Sequence, residues 1–278
     1  MIARAPASVA VAAGDVMLGG RQWPGAPASV PVLLVHGLAS NALVWDSVAA
    51  RLAAAGRQVL AVDLRGHGAS ASVPDPPGSD PILVAARDVA WVCASLGWSR
   101  AVVVGHSWGA NIALQLAADC PYLVAGLALV DGGWLHESDR WSDLDTIWRT
   151  KAPPDLAGWD LDGVRQVLTG AHPDWPAQAV EATLANLEQR PDHTLRPWLT
   201  PERHRARWAS LLVHRPRELH PRVRCRTVLL AAGDPPDRPT RQAASALADA
   251  ELVTFPGGEH DLHLQFPDQV AAAIARLG

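Results

Sequence analysis

The segment Gly105-His106-Ser107-Trp108-Gly109 joins an apolar run, Ala101 to Val104, to a helical pattern, Ala110 to Ala118. A chain that turns sharply from strand into helix around a serine lifts that hydroxyl clear of the sheet. Glycines on either side let neighbouring backbone pass close, where side chains would collide. The chemistry open to such a serine is nucleophilic attack, once a positioned base takes its proton. Three fixed positions in five residues are a weak signal alone, so the surrounding elements must decide.

Four other segments supply that context. Pro31 to Val35 is a buried-strand pattern ending in His36-Gly37-Leu38, and Val59 to Val62 leads into Asp63-Leu64-Arg65-Gly66-His67-Gly68-Ala69-Ser70. Leu127 to Val130 ends in Asp131-Gly132-Gly133, and Glu251 to Phe255 precedes Pro256-Gly257-Gly258-Glu259-His260. In order and spacing these segments resemble the α/β-hydrolase fold family. The resemblance spans essentially the whole chain and is weakest between Trp134 and Pro221. It implies an α/β fold, with a mostly parallel central sheet and helices on both faces.

The periodicity agrees. From residue 32 to about 130 short apolar runs alternate with helical patterns at Leu43 to Ala55, Pro81 to Leu96 and Ser107 to Ala118, which predicts parallel strands. The rhythm resumes at Thr227 to Ala231 and ends in a helix over Pro267 to Leu277. Between Trp134 and Pro221 there is no strand-like run, and prolines break the segment into short helical pieces. The division expected is a core of residues 1–133 and 222–278 with a helical insertion at 134–221. In the family resembled, such an insertion is a cap over the active site. Seven of the twelve tryptophans fall in it, and Trp134, Trp141 and Trp148 are candidates to line the substrate pocket. Their plainer role would be to core a small subdomain.

The resemblance also assigns roles, with nucleophile, acid and histidine following in that order. Ser107 is the nucleophile. His260, after the last strand and two glycines, is the base, with His263 as the alternative; His36 and His67 belong to structural loops. Two acids fit. Asp131 ends the strand after the nucleophile helix, and its two glycines leave the backbone free to turn. Asp237 lies in the loop after the next strand, where the family's usual acid sits. The usual spacing, three residues after a glycine, here falls on Pro236, so Asp131 is preferred and Asp237 kept as the alternative. The oxyanion-hole donors implied are the backbone amides of Leu38 and Trp108, the Trp108 indole narrowing the site. Asp63 to Ser70 reads as a structural loop.

Composition sets outer limits. Of 278 residues, 49% are hydrophobic and 19% charged, with a net charge of −4. That gives no basic footprint for nucleic acid or anionic membrane, so the partner expected is a small-molecule substrate. Oligomeric state is not indicated. Cys93, Cys120 and Cys225 make neither a disulfide framework nor a metal pattern, and no cofactor or metal is expected. Ala7 to Leu18 reads as a hairpin turning at Gly14-Asp15 rather than a secretory signal, Arg4 being its only positive charge; a cytoplasmic location is expected. The function expected is hydrolysis of a carboxylic ester, lactone or thioester of an apolar small molecule through an acyl-enzyme. The same triad could serve carbon–carbon bond hydrolysis or acyl transfer, and the fold could also serve as a small-molecule receptor.

Overall fold

Residues 5–278 are described by a computed structural model; residues 1–4, Arg4 among them, lie outside the described residues. An antiparallel hairpin of β1 (Ala7–Ala13) and β2 (Val16–Trp23) turns at Gly14, whose φ of 66° suits a residue without a Cβ. Then come β3 (Val32–Val35), β4 (Val59–Val62), β5 (Ala101–His106) and β6 (Val124–Val130). A separate pair, β7 (Leu187–Gln189) and β8 (Leu195–Pro197), precedes β9 (Arg226–Ala232) and β10 (Ala250–Phe255). Eight strands form one sheet in the order β1-β2-β4-β3-β5-β6-β9-β10. Pairing is antiparallel from β1 through β2 to β4 and parallel in the rest.

The central strands are almost wholly apolar because both sheet faces are covered, and their side chains alternate between two cores. Leu33, Val35, Leu60, Val62 and Val103 pack toward α2 (Pro81–Ser95) and α3 (Trp108–Asp119). Val32, Leu34, Val59, Ala61 and Val104 pack on the opposite face with α1 (Asp46–Ala54) and the C-terminal helix, Pro267–Ala275. Truncating Leu33, Leu34 or Leu60 to alanine would leave a cavity at a cost of about 2–5 kcal/mol. The helix expected from Leu43 begins as a 3₁₀ turn, Ala42–Trp45, because the Asn41 side chain accepts the Leu43 amide and caps it there.

Residues 131–225 connect β6 to β9. They carry α4 (Leu144–Lys151), α5 (Leu161–Ala171), α6 (Ala177–Leu184), α7 (Pro201–Val213) and α8 (Pro216–Leu219). The expectation that this stretch holds no strand is corrected: β7 and β8 pair antiparallel, with Leu187 opposite Pro197. Three-residue strands are too short to show an alternating pattern. A helix also missed by periodicity is α9 (Arg238–Ala246), which buries only Thr240 and Ala243. Two further helices, α10 (Leu262–Gln265) and α11 (Pro267–Ala275), close the chain. No helix among the described residues is long and apolar enough to cross a membrane.

The inserted segment is anchored by polar contacts. On α7 the Arg207 guanidinium, its side chain 1% exposed, donates to both Asp75 oxygens at 2.6 and 3.1 Å and to the Arg65 carbonyl at 3.0 Å. Ser210 Oγ donates to Asp80 at 2.6 Å, and Asn41 Nδ2 donates to the Ala182 carbonyl at 2.8 Å. At the end of α5 His172 meets the Glu259 carboxylate at 2.7 Å. Removing one partner of a buried ion pair strands the other charge. Asp75→Ala is therefore expected to lower unfolding free energy by about 3–5 kcal/mol in urea denaturation; a loss below about 1 kcal/mol would contradict this account of the α7 anchor.

Candidate active site

The parallel register sets residues side by side at the carboxyl edge of the sheet, where open α/β folds gather functional groups. His106 pairs with Val130 across β5 and β6, so the next residues of each chain, Ser107 and Asp131, emerge as neighbours. Ser107 adopts φ 53° and ψ −117°, a conformation an L-residue holds only under constraint. The constraint is close packing. A Cβ on Gly105 would lie 2.1 Å from the Gly109 carbonyl oxygen, and one on Gly109 would lie 2.4 Å from that of His36. The Ser107 amide donates to the Val130 carbonyl at 2.9 Å, and its own carbonyl accepts from Ala110 at 3.0 Å and Asn111 Nδ2 at 3.3 Å.

Asp131 also has a positive φ, 42°, and Gly132 follows it because a Cβ there would lie 2.5 Å from the Ser107 carbonyl oxygen. That bend aims the carboxylate along the edge. One oxygen accepts the Ala232 amide at 3.1 Å, and the other accepts from His260 Nδ1 at 2.6 Å. The loop after β10 reaches across the end of β9 to deliver His260, whose Nε2 lies 2.9 Å from Ser107 Oγ. With Nδ1–H donated to Asp131, the Nε2 lone pair faces the serine hydroxyl. Burial works against a charge on His260, but the Asp131 hydrogen bond, the attraction of that carboxylate and the field of Asp261 outweigh it. They hold the imidazole above the usual histidine range.

A cavity of about 720 Å³ opens over these three residues. Leu38 and Trp108 line it beside Ser107. The Trp108 amide opens the first turn of α3, whose N–H groups have no partner within the helix, and it is available to an oxygen in the cavity. The Trp108 indole is 2% exposed, stacked on His67 at 5.7 Å with the Arg207 guanidinium 5.8 Å from its ring. The ring packs into the core, while the residue also contributes to the cavity wall beside Ser107. Trp134 and Trp141 line the cavity, but Trp148 does not: it meets the His204 ring edge-on at 5.8 Å and lies under Arg205.

Asp237 lines the cavity without reaching His260. Its carboxylate accepts the Thr240 amide at 2.8 Å and the Thr240 hydroxyl, capping α9. His263 does not face the serine; its ring is fully buried between Trp45 and His106, with centroids 4.4 Å from each. Cavity residues that sequence reasoning missed include Asn111, His204 and Trp208. Asn111 lies one turn beyond Ser107, and His204, Trp208 and Leu211 share one face of α7 at helical spacing. That spacing was the available signal. His106 was missed too: its Nε2 meets the His260 carbonyl at 3.0 Å and so fixes the backbone that carries this imidazole.

Donor atoms of His106, Asp261 and His263 lie within 4.8 Å of one another. The two imidazoles pack ring against ring, and His106 Nε2 is already engaged with the His260 carbonyl. The grouping reads as a stacked support under the His260 loop. All three cysteines are free, and burial pushes the Cys93 thiol up to about 12.

The chain belongs to the alpha/beta hydrolase fold family, whose sequence model matches residues 30–267. Uncharacterized proteins of Mycobacterium tuberculosis and Mycobacterium bovis are 35% identical to it over 124 residues, which is 44% of this chain. The match covers 33% of those relatives' length. A 2-(acetamidomethylene)succinate hydrolase of Mesorhizobium japonicum is 28% identical over 255 residues, covering 88% of this chain and 87% of that protein. A protein of Caulobacter sp. named as a carbamate hydrolase is 30% identical over 259 residues, covering 90% of this chain and 91% of its own. The crystal structure of an E-2-(acetamidomethylene)succinate hydrolase superposes with a TM-score of 0.82 at 23% identity over 98% of both chains, a likeness of fold. These relatives support placing the protein among hydrolases.

The packing around the serine turn can be tested directly. Gly109→Ala sets a methyl against two backbone carbonyls, His36 at 2.4 Å and Val35 at 2.5 Å, neither of which can swing away. It is expected to lower stability by about 1–3 kcal/mol or more and to abolish any reactivity of Ser107. A fully stable and reactive variant would refute the packing argument.

Proposed function

We propose that this protein is a serine hydrolase that cleaves a carboxylic ester, lactone or thioester of a small molecule through an acyl-enzyme. The observation that carries the reading is the unbroken relay from Asp131 through His260 to Ser107, with contacts of 2.6 and 2.9 Å. His260 takes the Ser107 proton as Oγ bonds to the substrate carbonyl carbon, and Asp131 holds the imidazole in the tautomer that makes this possible. The carbonyl oxygen becomes an oxyanion facing the amides of Leu38 and Trp108, each such donor being worth around 3 kcal/mol. The imidazolium then protonates the leaving group as its bond to carbon breaks. A water, deprotonated by His260, attacks the acyl-serine and releases the acid. The hydrolase names carried by full-length relatives support cleavage at a carbonyl carbon by water. Residues 134–221 act as a cap, with Trp134, Trp141 and Trp208 forming apolar walls against the substrate.

A fluorophosphonate probe is expected to label Ser107 covalently, and Ser107→Ala to lose both labelling and ester turnover. A folded, unlabelled wild type would defeat the proposal. Asp131→Asn is expected to lower kcat by about 10⁴. Asp237→Asn should leave turnover near the wild-type rate, since asparagine caps a helix as well as aspartate does; reversed effects would transfer the acid's role to Asp237. Protonated His260 cannot accept the serine proton, so kcat/KM must rise with pH. The midpoint is expected above the ordinary histidine value of about 6.5, because the Asp131 and Asp261 carboxylates raise its proton affinity. A midpoint below that value would contradict the electrostatic account of the pair.

A further inference from the structure

Charged side chains in the cavity wall are not equally occupied. Asp131 is bound to His260 and the Ala232 amide, and Asp237 to Thr240. Glu137 accepts the Trp141 indole N–H at 3.1 Å and faces Arg140 at 3.8 Å. Lys151, the chain's only lysine, ends α4 and lines the same cavity. Among the described residues it enters no hydrogen bond or ion pair. Its charge acts on the site, for it is one of the groups that oppose protonation of His260. The negative end of α4 does not need it, since Arg149 stands in the same last turn.

We propose that Lys151, assisted by Arg140, is an anion subsite, and that the substrate carries a carboxylate remote from its scissile carbonyl. The inference rests on the serine-hydrolase reading for the scissile bond but not for the binding of the anion. One ammonium is a point charge suited to a single negative charge. The three acids in the same wall also repel a dianion more than a monoanion. This refines the apolar small molecule expected from the sequence to one that is apolar along its body and anionic at one end.

The test compares matched p-nitrophenyl esters, the hemiglutarate and the neutral valerate, which differ at the terminal carboxylate. The wild type is expected to favour the anionic ester in kcat/KM by about tenfold or more at low salt, and Lys151→Met to reduce that ratio by about tenfold, with Lys151→Arg restoring most of it. A wild-type ratio of one or less, or a ratio that Lys151→Met leaves unmoved, overturns the subsite. A second measurement needs no turnover: calorimetric binding of monomethyl glutarate, a monoanion, to Ser107→Ala, with and without Lys151→Met. Affinity weakened about tenfold by the lysine change supports the subsite; equal affinities, or no binding to Ser107→Ala, overturn it. Fluorophosphonate labelling and valerate turnover without anionic preference would sink the subsite and leave the hydrolase reading intact. Lysine-dependent binding of monomethyl glutarate in a protein that never labels would do the reverse.

Discussion

An imidazole that must hold two partners at once, a carboxylate behind it and a hydroxyl in front, is the constraint around which this molecule is arranged. His260 meets Asp131 and Ser107 at 2.6 and 2.9 Å, and the three residues come from three separate loops. They meet because β5, β6, β9 and β10 run parallel side by side, so that the loops after β5, β6 and β10 share one edge. Backbone strain is tolerated at two of the three positions, Ser107 and Asp131, both with positive φ. Such conformations cost on the order of 1–3 kcal/mol each and persist only where packing dictates them. Here the packing is backbone against backbone, made possible by Gly105, Gly109 and Gly132.

Support extends below the contact residues through a group of histidines that do not face substrate. His36 is fully buried, donating from Nδ1 to the Gly37 carbonyl at 2.8 Å and accepting the Leu64 amide at Nε2. Burial holds its proton affinity down, so it acts as a neutral brace for the loop that carries Leu38. His106 braces the His260 backbone in a similar way, also kept neutral mainly by burial. Histidine suits such positions because the neutral ring offers one donor and one acceptor at fixed geometry.

Much of this was legible before any coordinates. The sheet could be read because its central strands are buried on both faces and so are apolar without interruption, as in Val32 to Val35 and Val59 to Val62. The serine turn was readable because the glycines it needs leave a local signature. The geometry that separates Asp131 from Asp237 was not, since both follow strands and both are acids near glycines. Their difference lies in the positive φ that turns one toward His260 and the helix that captures the other. The hairpin β7–β8 and helix α9 escaped because few of their residues are buried, leaving little apolar pattern to read. Trp148 and the Trp108 indole show the limit of composition. A large aromatic signals burial, and which neighbour buries it depends on tertiary packing.

The contact between His172 and Glu259 joins the tip of α5 to the residue immediately before His260. The segment between β6 and β9 is thereby tied to the loop bearing the imidazole. Any outward swing of that helix tugs on the same peptide segment that keeps the ring aligned. Alignment of the ring therefore depends in part on where a helix outside the relay comes to rest.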